Sequence, residues 1–345
     1  MGLGVGWVAR GPGPKAPPST PPGVATRLDG YTFVRPLLEC ETPGTDNRVH
    51  LEALRTEFEA IRSRSMADGN VAHVSIYLRD LNSTEHLGIE EGVEFSPASL
   101  FKVPIMLMAL KEAERDPTLL TTHLVFDLAD WKEIPQVVAP THELIRGNAY
   151  PLRQLLEQMI VESDNHAADV VGAHFGSALF AKMFSDLGIR TDANGGDTLI
   201  TVEQYASFFR ILYNASYLGP QMSELGLSLL SQVKFMRGLV AGVPEGIRVA
   251  HKFGERRYLL AGHDTLMQLH DCGVVYYPGR PYLLCVMTRG HDIEHLVPVI
   301  RDVSAAAYAH YRDRVGGLGG VALAPGVDGS AGDGQGESGA GSSPP

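Results

Sequence analysis

Between Leu100 and Leu110 every residue but one is apolar, and the exception is Lys102. The run has the length and composition of a helix that is hydrophobic on every side, which belongs in the middle of a fold. That helix is expected to begin close to Ser99. Positions i and i+3 share a helix face, so the Ser99 hydroxyl and the Lys102 amine can meet at its mouth. A serine hydroxyl is a poor nucleophile until a neighbouring base takes its proton. A lysine among apolar groups has its charged form disfavoured and becomes a usable base. The pattern S-x-x-K is short enough to arise by chance, and a buried lysine can equally be a costly residue that found a partner. The rest of the sequence has to decide between these readings.

The chain has 345 residues, 44% hydrophobic and 20% charged, enough for one large or two modest cores without disulfide or metal staples. Its net charge of −11, with no Lys/Arg-rich block, argues against nucleic acid as a partner. Cys40, Cys272 and Cys285 are an odd number without C-x-x-C spacing and read as small buried hydrophobes. Residues 1–27 are Gly/Pro-rich and read as a disordered leader, and residues 315–345 as a disordered Gly/Ser/Pro tail. The first ten residues are too short an apolar run to span a bilayer, and they lack the plan of a signal peptide. Membrane anchoring is therefore expected only through a missing N-terminal segment.

Residues 28–314 read as the folded unit. Tyr31 to Glu39 is a short apolar segment expected to dock on its surface. Over residues 49–64, Leu51, Leu54, Phe58 and Ile61 recur at helical spacing. From Val71 the period changes to two and runs to a turn at residues 80–83, with a return strand over 85–95. Helices are expected over 152–161, 166–175 and 202–213, with a loop at 188–197. Strands return over 246–253, 265–277 and 282–288, the last two joined by Pro278-Gly279-Arg280-Pro281, and a closing helix covers 293–312. This order implies an α+β fold. One antiparallel sheet carries the first and last helices on a face, and a helical subdomain of about residues 100–245 is inserted between the sheet halves. A cleft between sheet and helices is where a site belongs.

Two further motifs lie downstream. Ser163-Asp164-Asn165 comes after a packed helix and could simply be a helix stop followed by a new N-cap. Lys252-x-Gly254 ends a strand and could be an edge lysine before a turn. Taken in order, Ser99-x-x-Lys102, Ser163-Asp164-Asn165 and Lys252-x-Gly254 make the chain resemble the class A β-lactamase family of penicillin-recognising serine hydrolases, over about residues 50–313. Phe101-Lys102-Val103-Pro104 and the stretch from Asp271 to Arg280 add to the likeness. The resemblance implies the β-lactamase/transpeptidase-like fold and catalytic roles for four residues. By that likeness Ser99 is the acylated nucleophile, Lys102 its base or base partner, and Ser163, with Lys252, the donor to the leaving amine. It also implies that Asn165 binds Lys102 and a substrate amide, and that the N–H groups of Ser99 and Glu255, beyond Gly254, form an oxyanion hole. No cofactor or metal is implied, and an extracytoplasmic monomer acting on a small molecule or a peptidoglycan peptide is expected.

The sequence departs from the family in two places. Residues 188–201 contain no Glu-x-x-Leu-Asn, so neither Asp192, Asp197 nor Glu203 is nominated as the base that frees the acyl-enzyme. Phe253 stands where the family has a Thr or Ser that binds the substrate carboxylate, and Arg256 or Arg257 is the expected substitute. Three functions remain open. They are β-lactam hydrolysis with slow deacylation, D-alanyl peptidase, transpeptidase or esterase activity on the same fold, and a penicillin-binding sensor that stays acylated. His291-Asp292-Ile293-Glu294-His295 also fits a zinc-peptidase pattern, but an acidic first turn of the closing helix accounts for it equally well and no third ligand is evident.

Overall fold

In the computed structural model, which describes residues 27–37, 51–83, 85–127, 136–187, 189, 198–259 and 265–316, the first amphipathic repeat is helix α1 (Glu52–Met66). Its apolar stripe of Leu54, Phe58 and Ile61 is buried. Strands β1 (Val71–Asp80) and β2 (His86–Ile89) come next as an antiparallel pair. The expected return strand divides here. Glu90 takes a left-handed backbone (φ 49°), and the chain leaves the sheet before forming β3 (Glu94–Phe95). β3 pairs instead with β6 (Ile200–Thr201), outside the main sheet.

A short 3-10 turn, Ala98–Phe101, leads into α2 (Lys102–Arg115), so the regular helix begins at the lysine and the serine sits in the turn before it. Strands β4 (His123–Val125) and β5 (Ala149–Pro151) form a small antiparallel pair within a region expected to be helical. Helix α3 (Leu152–Val161) is followed by α4 (Asn165–Asp186), which runs beyond the expected 175 through a break at Gly176 (φ 78°, ψ 164°). Helices α5 (Val202–Tyr213) and α6 (Pro220–Leu230) complete the helical part. Helix α2 contacts α3, α4 and α6, the surroundings an all-apolar helix requires.

The chain returns to the sheet as β7 (Val249–Leu259), β8 (Thr265–Val275) and β9 (Tyr282–Gly290), and closes with α7 (Ile293–Gly316). The five-stranded order is β2-β1-β9-β8-β7, antiparallel throughout, so β7 is an edge strand. Helices α1 and α7 pack on each other and on the sheet, while α5 packs on β1, β8 and β9. Strand β9 is buried along nearly its whole length, as a strand covered on both faces must be. The architecture is the expected α+β arrangement. Glu294, from the zinc-like motif, pairs with Arg237 at 2.5 Å in the first turn of α7.

The cysteine reading is corrected. Cys272 and Cys285 face each other in the register of β8 and β9 and form a buried disulfide. Strand pairing across the turn at 278–281 brought them together, and no local spacing could reveal it. Cys40, the leader apart from Arg27, the tail beyond residue 316 and most of the loop at 188–197 lie outside the described residues.

The segment beginning at Tyr31 docks as expected, and its anchor is Glu224 on α6. The Glu224 carboxylate accepts from the N–H groups of Thr32 (2.7 Å), Phe33 (2.9 Å) and Val34 (3.0 Å), and Val34 is fully buried. Replacing Glu224 with Ala leaves three backbone donors without this acceptor. Charge-assisted bonds of this kind contribute about 1.5–3 kcal/mol. The Glu224→Ala variant is expected to unfold at lower denaturant and to be cut by protease near residues 27–37, where the wild type resists.

Candidate active site

Lys102 starts α2 facing inward because the helix that it opens is apolar and buried. It is 4% exposed, while Ser99, one turn earlier, is only partly buried. The Lys102 amine lies 3.0 Å from Ser99 Oγ, 2.6 Å from the Ser163 carbonyl oxygen, 2.7 Å from Asn165 Oδ1 and 3.3 Å from Ser163 Oγ. The carbonyl and the amide oxygen can only accept, so they take two N–H bonds. The remaining valence of the nitrogen faces the two hydroxyls. Burial lowers the Lys102 pKa to about 7, against the opposing pull of Asp164, Asp169 and Glu255. A neutral amine turns its lone pair toward Ser99 Oγ and can take that proton.

Ser163 lies between α3 and α4 in a left-handed conformation (φ 57°), which turns its carbonyl onto Lys102. A serine in that region is strained and is held by its surroundings. Asp164 is the N-cap of α4, accepting from the N–H groups of His166 (2.7 Å) and Ala167 (3.1 Å). Asn165 is thereby set in the first turn of α4 with its amide oxygen on the amine. Ser163-Asp164-Asn165 therefore starts a helix and lines the cleft at the same time.

Lys252 approaches from β7. It is fully buried, donates 2.8 Å to Ser163 Oγ and 2.9 Å to the Phe253 carbonyl, and lies 4.3 Å from the Phe253 ring centroid. Burial, and then the neighbouring Lys102, push its pKa well below the usual lysine value. Ser163 Oγ thus bridges two amines, one of which also reaches Ser99. A proton can travel along this chain of groups without crossing bulk water.

Gly254 is where β7 meets the turn that carries Ser99. A Cβ there would stand 2.8 Å from the Pro97 carbonyl oxygen and 2.9 Å from the Leu100 nitrogen, so only glycine permits this approach. Ala98, just before Ser99, is also left-handed (φ 50°). Glu255 does not point away from the cleft. Its Oε1 accepts from the N–H groups of Val137 (2.7 Å) and Val138 (2.9 Å). Arg256 points to the underside of the turn, donating 2.9 Å to Ser96 Oγ, and Arg257 is exposed. Phe253 is buried, stacked on Phe235 with centroids 4.4 Å apart. The structure therefore brings Ser99, Lys102, Ser163, Asn165, Lys252 and Gly254 together and engages Arg256 elsewhere.

Several supporting residues escaped the sequence reading. His270, opposite Gly254 in the register, is fully buried, and burial lowers its pKa to about 4. Its Nε2 lies 3.0 Å from the Ser96 carbonyl and 3.1 Å from Gln268 Oε1, both acceptors, while Nδ1 accepts from the Thr288 N–H at 3.3 Å. These partners assign the neutral tautomer with its proton on Nε2, which holds the start of the Ser99 turn. His251 and Asp271 form a second buried pair at 2.8 Å beneath Lys252. Beside Ser163, Glu162 accepts from Lys234 and from the N–H (3.0 Å) and hydroxyl (2.9 Å) of Thr141. Burial alone would raise the Glu162 pKa, but these bonds outweigh it and bring it to about 2. No local pattern marks these residues, most of whose partners lie far away in the chain.

Comparison with known proteins places the chain in a family and its fold. The family model described as "Beta-lactamase enzyme family" matches residues 54–311. No curated protein sequence matches the chain. Among solved structures, PBP-A aligns with a TM-score of 0.62 at 21% identity, covering 75% of this chain and 97% of that one. A variant of PBP-A was solved as an acyl-enzyme complex with penicillin G, at a TM-score of 0.61 and 21% identity, with coverages of 75% and 97%. A class A β-lactamase from Mycobacterium abscessus aligns at 0.62 with 20% identity, covering 75% and 99%. A β-lactamase from Xanthomonas campestris gives 0.64 at 21%, covering 76% and 98%. At these identities the structures share the fold.

The close approach at Gly254 is testable directly. Gly254→Ala has to push β7 off the turn at residues 97–100, and overpacking of this kind costs about 1–3 kcal/mol. The expected outcome is a folded protein with a lower thermal midpoint, in which Ser99 loses reactivity toward a fluorophosphonate probe.

Proposed function

The chain belongs to the beta-lactamase enzyme family, and from that premise we propose that it is a serine hydrolase acting on β-lactam-type amides through an acyl-enzyme. The observation that carries the reading is the contact of one buried amine, Lys102, with both Ser99 and Ser163, with Lys252 completing the chain. Lys102 takes the proton of Ser99 Oγ as that oxygen attacks the substrate carbonyl carbon. The carbonyl oxygen becomes an oxyanion, met by the N–H groups of Ser99 and Glu255, each such donor contributing about 3–4 kcal/mol to lowering the barrier. The C–N bond then breaks. The leaving nitrogen takes a proton from Ser163 Oγ, which regains the one that Lys102 took from Ser99, with Lys252 hydrogen-bonded to the same hydroxyl, and Ser99 is left as an ester. Hydrolysis of that ester by water would restore the enzyme.

A second reading, in which the acyl group persists, is favoured by the described carboxylates. Glu162 is engaged by Lys234 and Thr141. Glu203 lines a separate small cavity with Tyr77, Arg79 and Arg210. Glu255 holds the backbone at Val137 and Val138. We assign none of them as a deacylation base, and Asp192 and Asp197 lie outside the described residues. Peptidase, transpeptidase and esterase activities use the same first half-reaction and differ in the acceptor. The Cys272–Cys285 disulfide suits an oxidising, extracytoplasmic setting. Among the described residues no helix is long and apolar enough to cross a membrane.

Intact-protein mass after mixing with a penicillin tests the reading. The wild type is expected to gain the mass of one penicillin and keep it for many minutes, and Ser99→Ala to gain none. Mass addition to Ser99→Ala would overturn the assignment. The acylation rate is expected to rise with pH through about 7, as Lys102 loses its proton and becomes the base, and then to level off. A rate still climbing steeply toward pH 10 would mean that Lys102 keeps an ordinary lysine pKa.

A further inference from the structure

Residues 136–138 run from one wall of the cleft to the other. On the helical side, Gln136 Nε2 donates to the Ser163 carbonyl oxygen at 3.1 Å. On the sheet side, the N–H groups of Val137 and Val138 converge on Glu255 Oε1. These three bonds make a strap between Ser163 and β7, beside the groups gathered around Ser99. Its fastening on the sheet side is the side chain of the residue whose backbone is proposed to serve the oxyanion.

The other carboxylate oxygen of Glu255 is buried and has no hydrogen-bond partner among the described residues. An ionised oxygen left in this state is costly and is relieved by any donor that comes within reach. Its charge is felt by both Lys102 and Lys252, so it belongs to the catalytic cleft. The two amines do not offset it as full cations, because burial favours their neutral forms. Apart from the effect of Lys102 on Lys252, the other charges acting on these amines are also carboxylates: Asp164 and Asp169 on Lys102, and Asp271 on Lys252. Of the nearby guanidiniums, Arg256 is engaged with Ser96 on the opposite side of the strand, and Arg257 is exposed, where solvent and salt weaken its hold on an anion. Phe253, between Lys252 and Glu255, offers no hydrogen bond and is packed against Phe235.

We propose that Glu255 sets the specificity of this site, selecting slender amides or esters that carry no carboxylate beside the leaving atom of the scissile bond, whether neutral or amine-bearing. The proposal rests on the reading of Ser99 as the acylated residue. Benzylpenicillin and its methyl ester differ only in that carboxylate and form a matched pair of probes. Acylation of the full chain by each is followed by time-resolved intact mass, with each rate normalised to the compound's own reactivity toward hydroxylamine in solution.

The wild type is expected to react at least about tenfold faster with the methyl ester, the scale of one uncompensated charge in a partly buried site. Glu255→Gln keeps an oxygen for the two strap N–H groups and removes the charge, and is expected to bring the ratio to within about twofold of unity. Equal or faster reaction of benzylpenicillin with the wild type overturns the proposal without need of any variant. A ratio unchanged in a Glu255→Gln protein of wild-type thermal midpoint overturns it as well. If neither compound nor a neutral nitrophenyl ester adds mass at Ser99, the acyl-enzyme reading fails and takes this one with it.

Discussion

Two lysine amines buried around one serine hydroxyl are the constraint on which the rest of the architecture depends. Each amine would prefer water, and each is deprived of it by a different part of the chain. Lys102 is enclosed because α2 is the central helix, and Lys252 because β7 lies against the Ser99 turn. Acceptor geometry holds them in place. Carbonyl oxygens of Ser163 and Phe253 and the Asn165 amide oxygen occupy their N–H groups. Hydroxyls are left to share the remainder. Burial that is a liability for stability is what makes the amines useful as bases at neutral pH.

Such an arrangement needs rigid support. Two non-glycine residues beside the site, Ala98 and Ser163, are held in left-handed backbone, and Gly254 allows a contact that no side chain would permit. The turn carrying Ser99 is pinned from below by neutral His270 and by Arg256, both acting on Ser96. Lys252 stands over the His251–Asp271 pair, whose Asp271 also accepts from the Leu239 N–H at 2.9 Å. The groups gathered in the cleft are thus set by strands and helix starts, with a second row of buried polar groups engaged behind them.

The electrostatic character of the cleft arises from the same burial. With both amines pushed toward neutrality, the carboxylates of Asp164, Asp169, Asp271 and Glu255 act on the cleft, and that of Glu255 holds the strap at Val137 and Val138. A family fold and a shared reaction step can therefore coexist with an unusual preference at the substrate's other end. The proposed acylating half of the chemistry is built from residues 99, 102, 163 and 252, and specificity is added by the groups that surround them.

The residues that gather in the cleft were legible in the sequence, because each sits in a short local pattern. Ser99 and Lys102 are one helical turn apart, Ser163 to Asn165 are contiguous, and Lys252 and Gly254 flank one residue. The periods of α1, α3, α5 and the three late strands were readable for the same reason, since burial on one face imposes a repeat that neighbours express together. The disulfide, the splitting of the strand after β2, the extension of α4 through Gly176 and the tie from Arg256 to Ser96 were not readable. Each depends on which distant segment lies alongside. Sequence by itself determined the serine, its two amines and the α+β class, because local spacing encodes them. Tertiary structure alone decided what Glu255, Arg256 and His270 touch, because a side chain's partners across a cleft or beneath a turn are fixed by the packing of strands and helices far apart in the chain.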